Sequence, residues 1–154
     1  MESSAALIGV DILVVVGLSI LIGASAPRWP ERWLQRDRGP LRLGPFDDVR
    51  VYRRWHVPSL ARRLPEAGSA FGGDSKKSLP GVGGGDLVRY LTEVRRGEWV
   101  HWLSMLTVMP LALFNPAWLW LAFVCIVVAV NGVFIAVLRY NRVRLTAILL
   151  RGVA

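Results

Sequence analysis

Residues 93–144 read EVRRGEWVHWLSMLTVMPLALFNPAWLWLAFVCIVVAVNGVFIAVLRYNRVR, and from Trp99 to Leu138 that stretch holds no Lys, Arg, Asp or Glu. An uncharged run of this length is what a membrane asks for and a small soluble domain does not. One break interrupts it, at Asn115-Pro116. Proline keeps the residue before it out of the α region and is tolerated in the first turn of the helix that follows. The run therefore divides into 99–114 and 116–138, roughly 24 and 35 Å of helix at about 1.5 Å per residue, against a hydrocarbon core of roughly 30 Å. The reading is a helical hairpin in a bilayer, turning at Asn115, whose short first limb continues below into Glu98 and the residues before it.

The rest of the chain supports that hairpin. At 53% hydrophobic residues, mean hydropathy +0.41 and seven Trp, the 154 residues read as a single small integral membrane domain. The net charge of +8 is placed for a membrane rather than for nucleic acid. Residues 27–98 hold 15 Lys and Arg against 9 Asp and Glu, residues 139–154 hold four Arg and no acid, and residues 1–26 carry only Glu2 and Asp11. With an all-α architecture of three transmembrane helices, at about 5–26, 99–114 and 116–138, both basic segments fall on one side. The positive-inside rule assigns that side to the cytoplasm and leaves the N-terminus outside.

The first span resembles a signal peptide at Ala24-Ser25-Ala26, but MESS carries no basic residue and Pro27 follows directly, so a retained anchor is expected. Asp11 inside it must be protonated, paired or close to the outer surface; near the end of the span, it is read as reaching the interface. Cys125, alone and mid-span, is read as packing.

Residues 27–85 are polar, basic and punctuated by Pro and Gly. Trp29 and Trp33 beside Arg28, Arg32 and Arg36 read as interfacial anchors followed by a short surface helix over 30–36. Asp47 to Arg63 reads as a strand and a short helix, or as an amphipathic element on the anionic leaflet, with His56 interfacial rather than catalytic. Residues 71–85, FGGDSKKSLPGVGGG, make no phosphate-binding fingerprint, because no strand precedes the glycines and no Gly-Lys-Ser/Thr follows. Asp86 reads as an N-cap. Beyond it Leu87, Tyr90, Leu91, Val94, Glu98, His101 and Met105 recur in steps of three and four, one helical face, with Arg89, Glu93 and Arg96 opposite.

Chemistry is sought where that face meets the end of the last span. Glu98 and His101 stand i, i+3, so the carboxylate can orient the imidazole as a general base; polar residues at an interface serve as ordinary anchors just as often. An up-and-down hairpin brings Arg139, Tyr140, Asn141, Arg142 and Arg144 to the same depth. Together they supply a base, an orienting group, a positioning amide and guanidinium clamps for an anion. For Arg144 and Arg151 lipid phosphate is the simpler partner. Asn131 lies deeper, on almost the same face as Arg142, and is read as binding another helix or a substrate group. Two His 45 residues apart and one Cys make no zinc site, and there is no Gly-x-Ser-x-Gly elbow.

On EVRRGEWVHW at 93–102, the Asn115 turn, Asn131 and RYNRVRLT at 139–146, supported by Lys76-Lys77, Tyr52 and Leu64-Pro65-Glu66, the chain resembles the glycosyl-4,4'-diaponeurosporenoate acyltransferase family of carotenoid pigment synthesis. It departs from that pattern at Leu60-Ala61 and at Leu138. The resemblance implies transfer of a fatty acyl group to a sugar hydroxyl of a glycosylated carotenoid. The resulting expectation is a membrane O-acyltransferase with His101 as base and Glu98 orienting it. Glu93, Arg95, Arg96, Arg139 and Arg142 would face an activated donor such as acyl-CoA, and Asn131 or Asn141 the acceptor. No cofactor is expected; membrane lipids and the lipid-linked acceptor are the partners. The alternative is a non-catalytic accessory subunit packing its hairpin against a larger membrane complex.

Overall fold

The computed structural model describes residues 2–63 and 84–152, and every regular element among them is helical. In chain order these are α1 (Glu2–Ser25), α2 (Val49–Arg54), α3 (Val57–Arg63), α4 (Gly84–Ser104) and α5 (Ala117–Gly152), with single 3-10 turns between α1 and α2 and two more between α4 and α5. The Lys76-Lys77 loop and Leu64-Pro65-Glu66 lie outside the described residues.

Among the described residues two helices are long and apolar enough to cross a membrane, one within 5–28 and one within 117–150. Only 6% and 17% of their most apolar windows are buried in the protein, which separates them from core helices of a soluble domain. The middle limb differs from the continuous span expected over 99–114. Its α-helix ends at Ser104, and Met105–Val108 and Pro110–Leu113 are 3-10 turns. Pro110 has no N–H to return to Leu106, so the α ladder cannot pass it; Leu106 O takes Met109 N–H instead, at 3.0 Å. Side chains cap the carbonyls released nearby. Thr107 Oγ1 donates to Ser104 O at 2.7 Å and Trp120 Nε1 to Val108 O at 3.1 Å. Because a 3-10 turn rises about 2.0 Å per residue, this limb reaches further than its residue count implies for an α-helix.

At the hairpin turn Asn115 Nδ2 donates to Asp11 Oδ1 at 2.8 Å, and Asp11 is fully buried. Asp11 is thus paired inside the protein rather than turned out to the interface. Its contact ties α1 to the hairpin, along which α1 then packs against α4 and the 3-10 turn after it. At its other end α1 is closed by Arg28 on Ala24 O and by Trp29 Nε1 on Ser25 Oγ, at 3.0 and 3.1 Å.

The hairpin continues well past the apolar run. α5 is 36 residues long, roughly 54 Å at about 1.5 Å per residue, so the helix carries on through residues 139–152. Tyr90, Leu91 and Val94 of α4 pack there against Leu138 and Leu145, with Leu87 and Leu149 at the margin. α4 opens at Gly84, two residues before the expected cap at Asp86. Residues 47–63 form two short helices and no strand, kinked at His56, whose φ of 55° lies in the left-handed region that His tolerates better than most residues. Residues 30–36 hold one 3-10 turn, Glu31–Trp33, rather than a surface helix.

Candidate functional site

The packed face of α4 carries Glu98 to the point where α5 presents Arg139 and Arg142, and the carboxylate is fully buried between them. Arg139 Nε donates to Glu98 Oε1 at 2.8 Å, Arg142 Nη1 stands 3.0 Å from Glu98 Oε2, and Trp102 Nε1 donates to Oε1 at 3.4 Å. The Arg139 guanidinium also lies over the Trp102 ring, 5.9 Å from its centroid. A carboxylate stripped of water needs opposite charge at contact distance, which both oxygens have here, and hydrogen-bond donors, which Oε1 receives from Arg139 and Trp102.

The segment after α1 closes the cluster from outside. Arg139 pairs with Asp47 at 3.0 Å and donates to Pro40 O; Arg142 donates to Leu41 O and stands 3.7 Å from Asp37; Arg95 pairs with Asp37 at 2.8 Å. Three guanidiniums and three carboxylates thus interlock, and Gly39, at φ 54°, turns the chain that brings Pro40 and Leu41 over them. Leu34 and Leu41 are fully buried under the strap. Tyr52 anchors its far end by donating to Asp47 Oδ1 and packing edge-on to Tyr140, with centroids 6.1 Å apart. Burial works against the Asp47 carboxylate, but hydrogen bonds from Tyr52 and the Gly44 N–H, with the charge of Arg139, outweigh it and hold the carboxyl below its ordinary 3.8. Burial first, then the Asp47 contact, pushes the Tyr52 phenol well above 10.0.

His101 stands one turn past Glu98 on α4, within the uncharged run. Its Nδ1 lies 2.9 Å from Asn131 Oδ1, and its ring stacks on Phe134, with centroids 4.6 Å apart and planes within 4°. The Asn131 amide is oriented by a second contact, Nδ2 donating to Val127 O at 2.9 Å. A carbonyl only accepts, so the amide nitrogen faces Val127 and the amide oxygen faces the ring. That oxygen also only accepts, so Nδ1 must carry the proton and Nε2 is the basic nitrogen of the neutral imidazole. Asn131 is therefore an orienting partner of His101. The i, i+3 spacing put Glu98 within reach of the imidazole, but two guanidiniums from α5 and the Trp102 indole take its oxygens.

The other candidates sort by exposure. The Arg139 side chain keeps 18% of its surface and Arg142 none, so Arg142 is enclosed in the network rather than open at its edge. Arg95 and Arg96 are about as covered as Arg139, and Arg96 pairs with Glu93 one turn away. Asn141 is half-buried and takes no part in the network; Arg144 lies over Tyr140 at 5.4 Å. Sequence reasoning missed Asp37 and Asp47, whose only signal is that they are acids in a basic stretch, and Phe134, which sits three residues past Asn131 on the same helical face. No group of three metal-ligating side chains occurs among the described residues.

An imidazole whose proton an amide places on Nδ1, on the same helix as a partly covered network of paired arginines and carboxylates between α4 and α5, has the chemistry to take a proton from a hydroxyl. No curated protein and no solved structure matches the chain. The family model for glycosyl-4,4'-diaponeurosporenoate acyltransferase matches residues 30–151, which takes in the strap, the arginine network and the His101–Asn131 pair, and the chain belongs to that family.

Proposed function

We propose that the chain is a membrane O-acyltransferase that moves a fatty acyl group from a thioester donor such as acyl-CoA to a sugar hydroxyl of a glycosylated carotenoid. The observation that carries this reading is the His101–Asn131–Val127 chain of contacts, because it leaves Nε2 as the basic ring nitrogen. In the reaction His101 Nε2 takes the hydroxyl proton while the hydroxyl oxygen attacks the thioester carbonyl carbon. The tetrahedral adduct collapses with loss of the C–S bond, and the departing thiolate takes the proton back from Nε2. An ester and a free thiol result, and His101 is neutral again. Asn131 holds the ring, and Asn141 is the second amide available to the acceptor.

Arg139, with Arg95 and Arg96, faces the anionic part of the donor, while Arg142 and Glu98 hold the two helices in register beneath it; Glu93 keeps Arg96 in place. Three crossings, with both basic segments in the cytoplasm and the N-terminus outside, put this edge at the inner leaflet. Two lipid-borne substrates can meet there. The broken middle limb supports the third crossing by its uncharged sequence and by its length in 3-10 form.

Extraction of lipids and pigments from cells with and without the chain tests the reading. A glycosylated carotenoid heavier by one acyl group, present only with the chain, is the expected result. Identical extracts from cells that contain the acceptor and the donor contradict it and favour an accessory subunit.

A further inference from the structure

α2 and α3 pack Tyr52 and Val57, with Val49, against Ala136, Val137, Tyr140 and Val143 of α5. Those four residues straddle Leu138, the last of the uncharged run. The pair of short helices therefore sits at the depth where the apolar part of α5 meets its charged part. Its other side is open: Phe46 is 81% and Trp55 72% exposed, and Leu60 and the side chains of Arg50, Arg53, Arg54, Arg62 and Arg63 are exposed around them. Of the two acids of this stretch Asp47 is turned inward to Arg139, which leaves the exposed cap residue Asp48 alone against five arginines. Exposed large aromatic side chains and exposed arginines in one short segment, held where the apolar part of α5 ends, match an anionic leaflet in both charge and polarity.

We infer that residues 46–63 dock on the anionic lipid surface, with Phe46 and Trp55 entering the boundary between headgroups and acyl chains and the arginines on lipid phosphates. The site beside His101 is coupled to this contact. Asp47 and Tyr52 belong to the docked lobe, and Asp47 holds Arg139, so lipid engagement fixes the outer edge of the arginine network. An arrangement of this kind keeps the edge of the site at the membrane surface, whatever substrates use it.

The test uses the full chain in nanodiscs. Cys125→Ser removes the native thiol, and Trp55→Cys or Phe46→Cys supplies a single site for an environment-sensitive fluorophore at an exposed position. In discs containing phosphatidylglycerol both labels are expected to emit blue-shifted light and to be quenched by brominated acyl chains. The shift is expected to shrink in discs of phosphatidylcholine alone and at high salt, where the attraction is screened. Water-like emission at both labels in both kinds of disc overturns the inference. A blue shift that appears only when an acidic acyl carrier protein is added also overturns it, and assigns the surface to a protein.

Discussion

At the scale of the residue, the account turns on which atoms the buried polar groups face. Glu98 is enclosed with Arg139 and Arg142, so its removal leaves two guanidiniums in a dry site without their shared counter-charge. Glu98→Ala is expected to destabilise the protein by about 3–5 kcal/mol, read as a large fall in melting temperature in detergent; an unchanged melt would show that the network is not what holds α4 to α5. Asp47 gives a pH dependence of definite sign. Its carboxyl titrates below 3.8 in the folded chain, so its contribution to stability is present above that value and is lost as pH falls through the lowered one. Tyr52→Phe removes a hydrogen bond to the carboxylate, so the acid-side loss is expected to be smaller than in the parent and to be complete at a higher pH. Coincident acid limbs for the two proteins would contradict the geometry around Asp47. The sequence named Glu98, His101, Asn131, Arg139 and Arg142 but not their pairing, because helical spacing states which residues can meet and not which partner wins.

At the scale of the element, α1 and α5 were readable because each carries a long, largely apolar run. The middle limb was read as one helix from the same absence of charge. What the run conceals is that Pro110 removes a donor from the ladder, so that a 3-10 path capped by Thr107 and Trp120 replaces the last turns of α-helix. Asp11 shows a similar limit: in sequence it is a misplaced acid near the end of a span, and only folding brings the Asn115 amide to it. That contact should matter to how α1 sits. Asp11→Leu strands the Asn115 amide N–H beside α1 and is expected to cost about 1–3 kcal/mol. It should also expose α1 to faster hydrogen exchange while the α4–α5 pair keeps its protection. Loss of protection spread evenly over all three helices would mean that the pair does not act locally.

At the scale of the molecule, a strap from the end of α1 is drawn across the charged mouth of a hairpin by the arginines of α5, and the imidazole lies just behind that mouth. The residues forming the strap were read as a basic loop, since its two structural acids, Asp37 and Asp47, are outnumbered locally and their ion-pair partners lie more than fifty positions away. The membrane setting, the hairpin and the family were legible because they depend on composition, on one proline break and on short motifs. The central claim, that this mouth carries out acyl transfer with His101 as its base, is tested most directly by turnover in membranes. The comparison is His101→Ala and Asn131→Leu against the parent, with acyl-CoA and a glycosylated carotenoid, each variant first shown to melt like the parent. The account predicts a fall in kcat of about 10²–10⁴-fold for His101→Ala and a smaller fall for Asn131→Leu, whose imidazole is present but no longer held in one tautomer. Parent-like turnover in His101→Ala would contradict it.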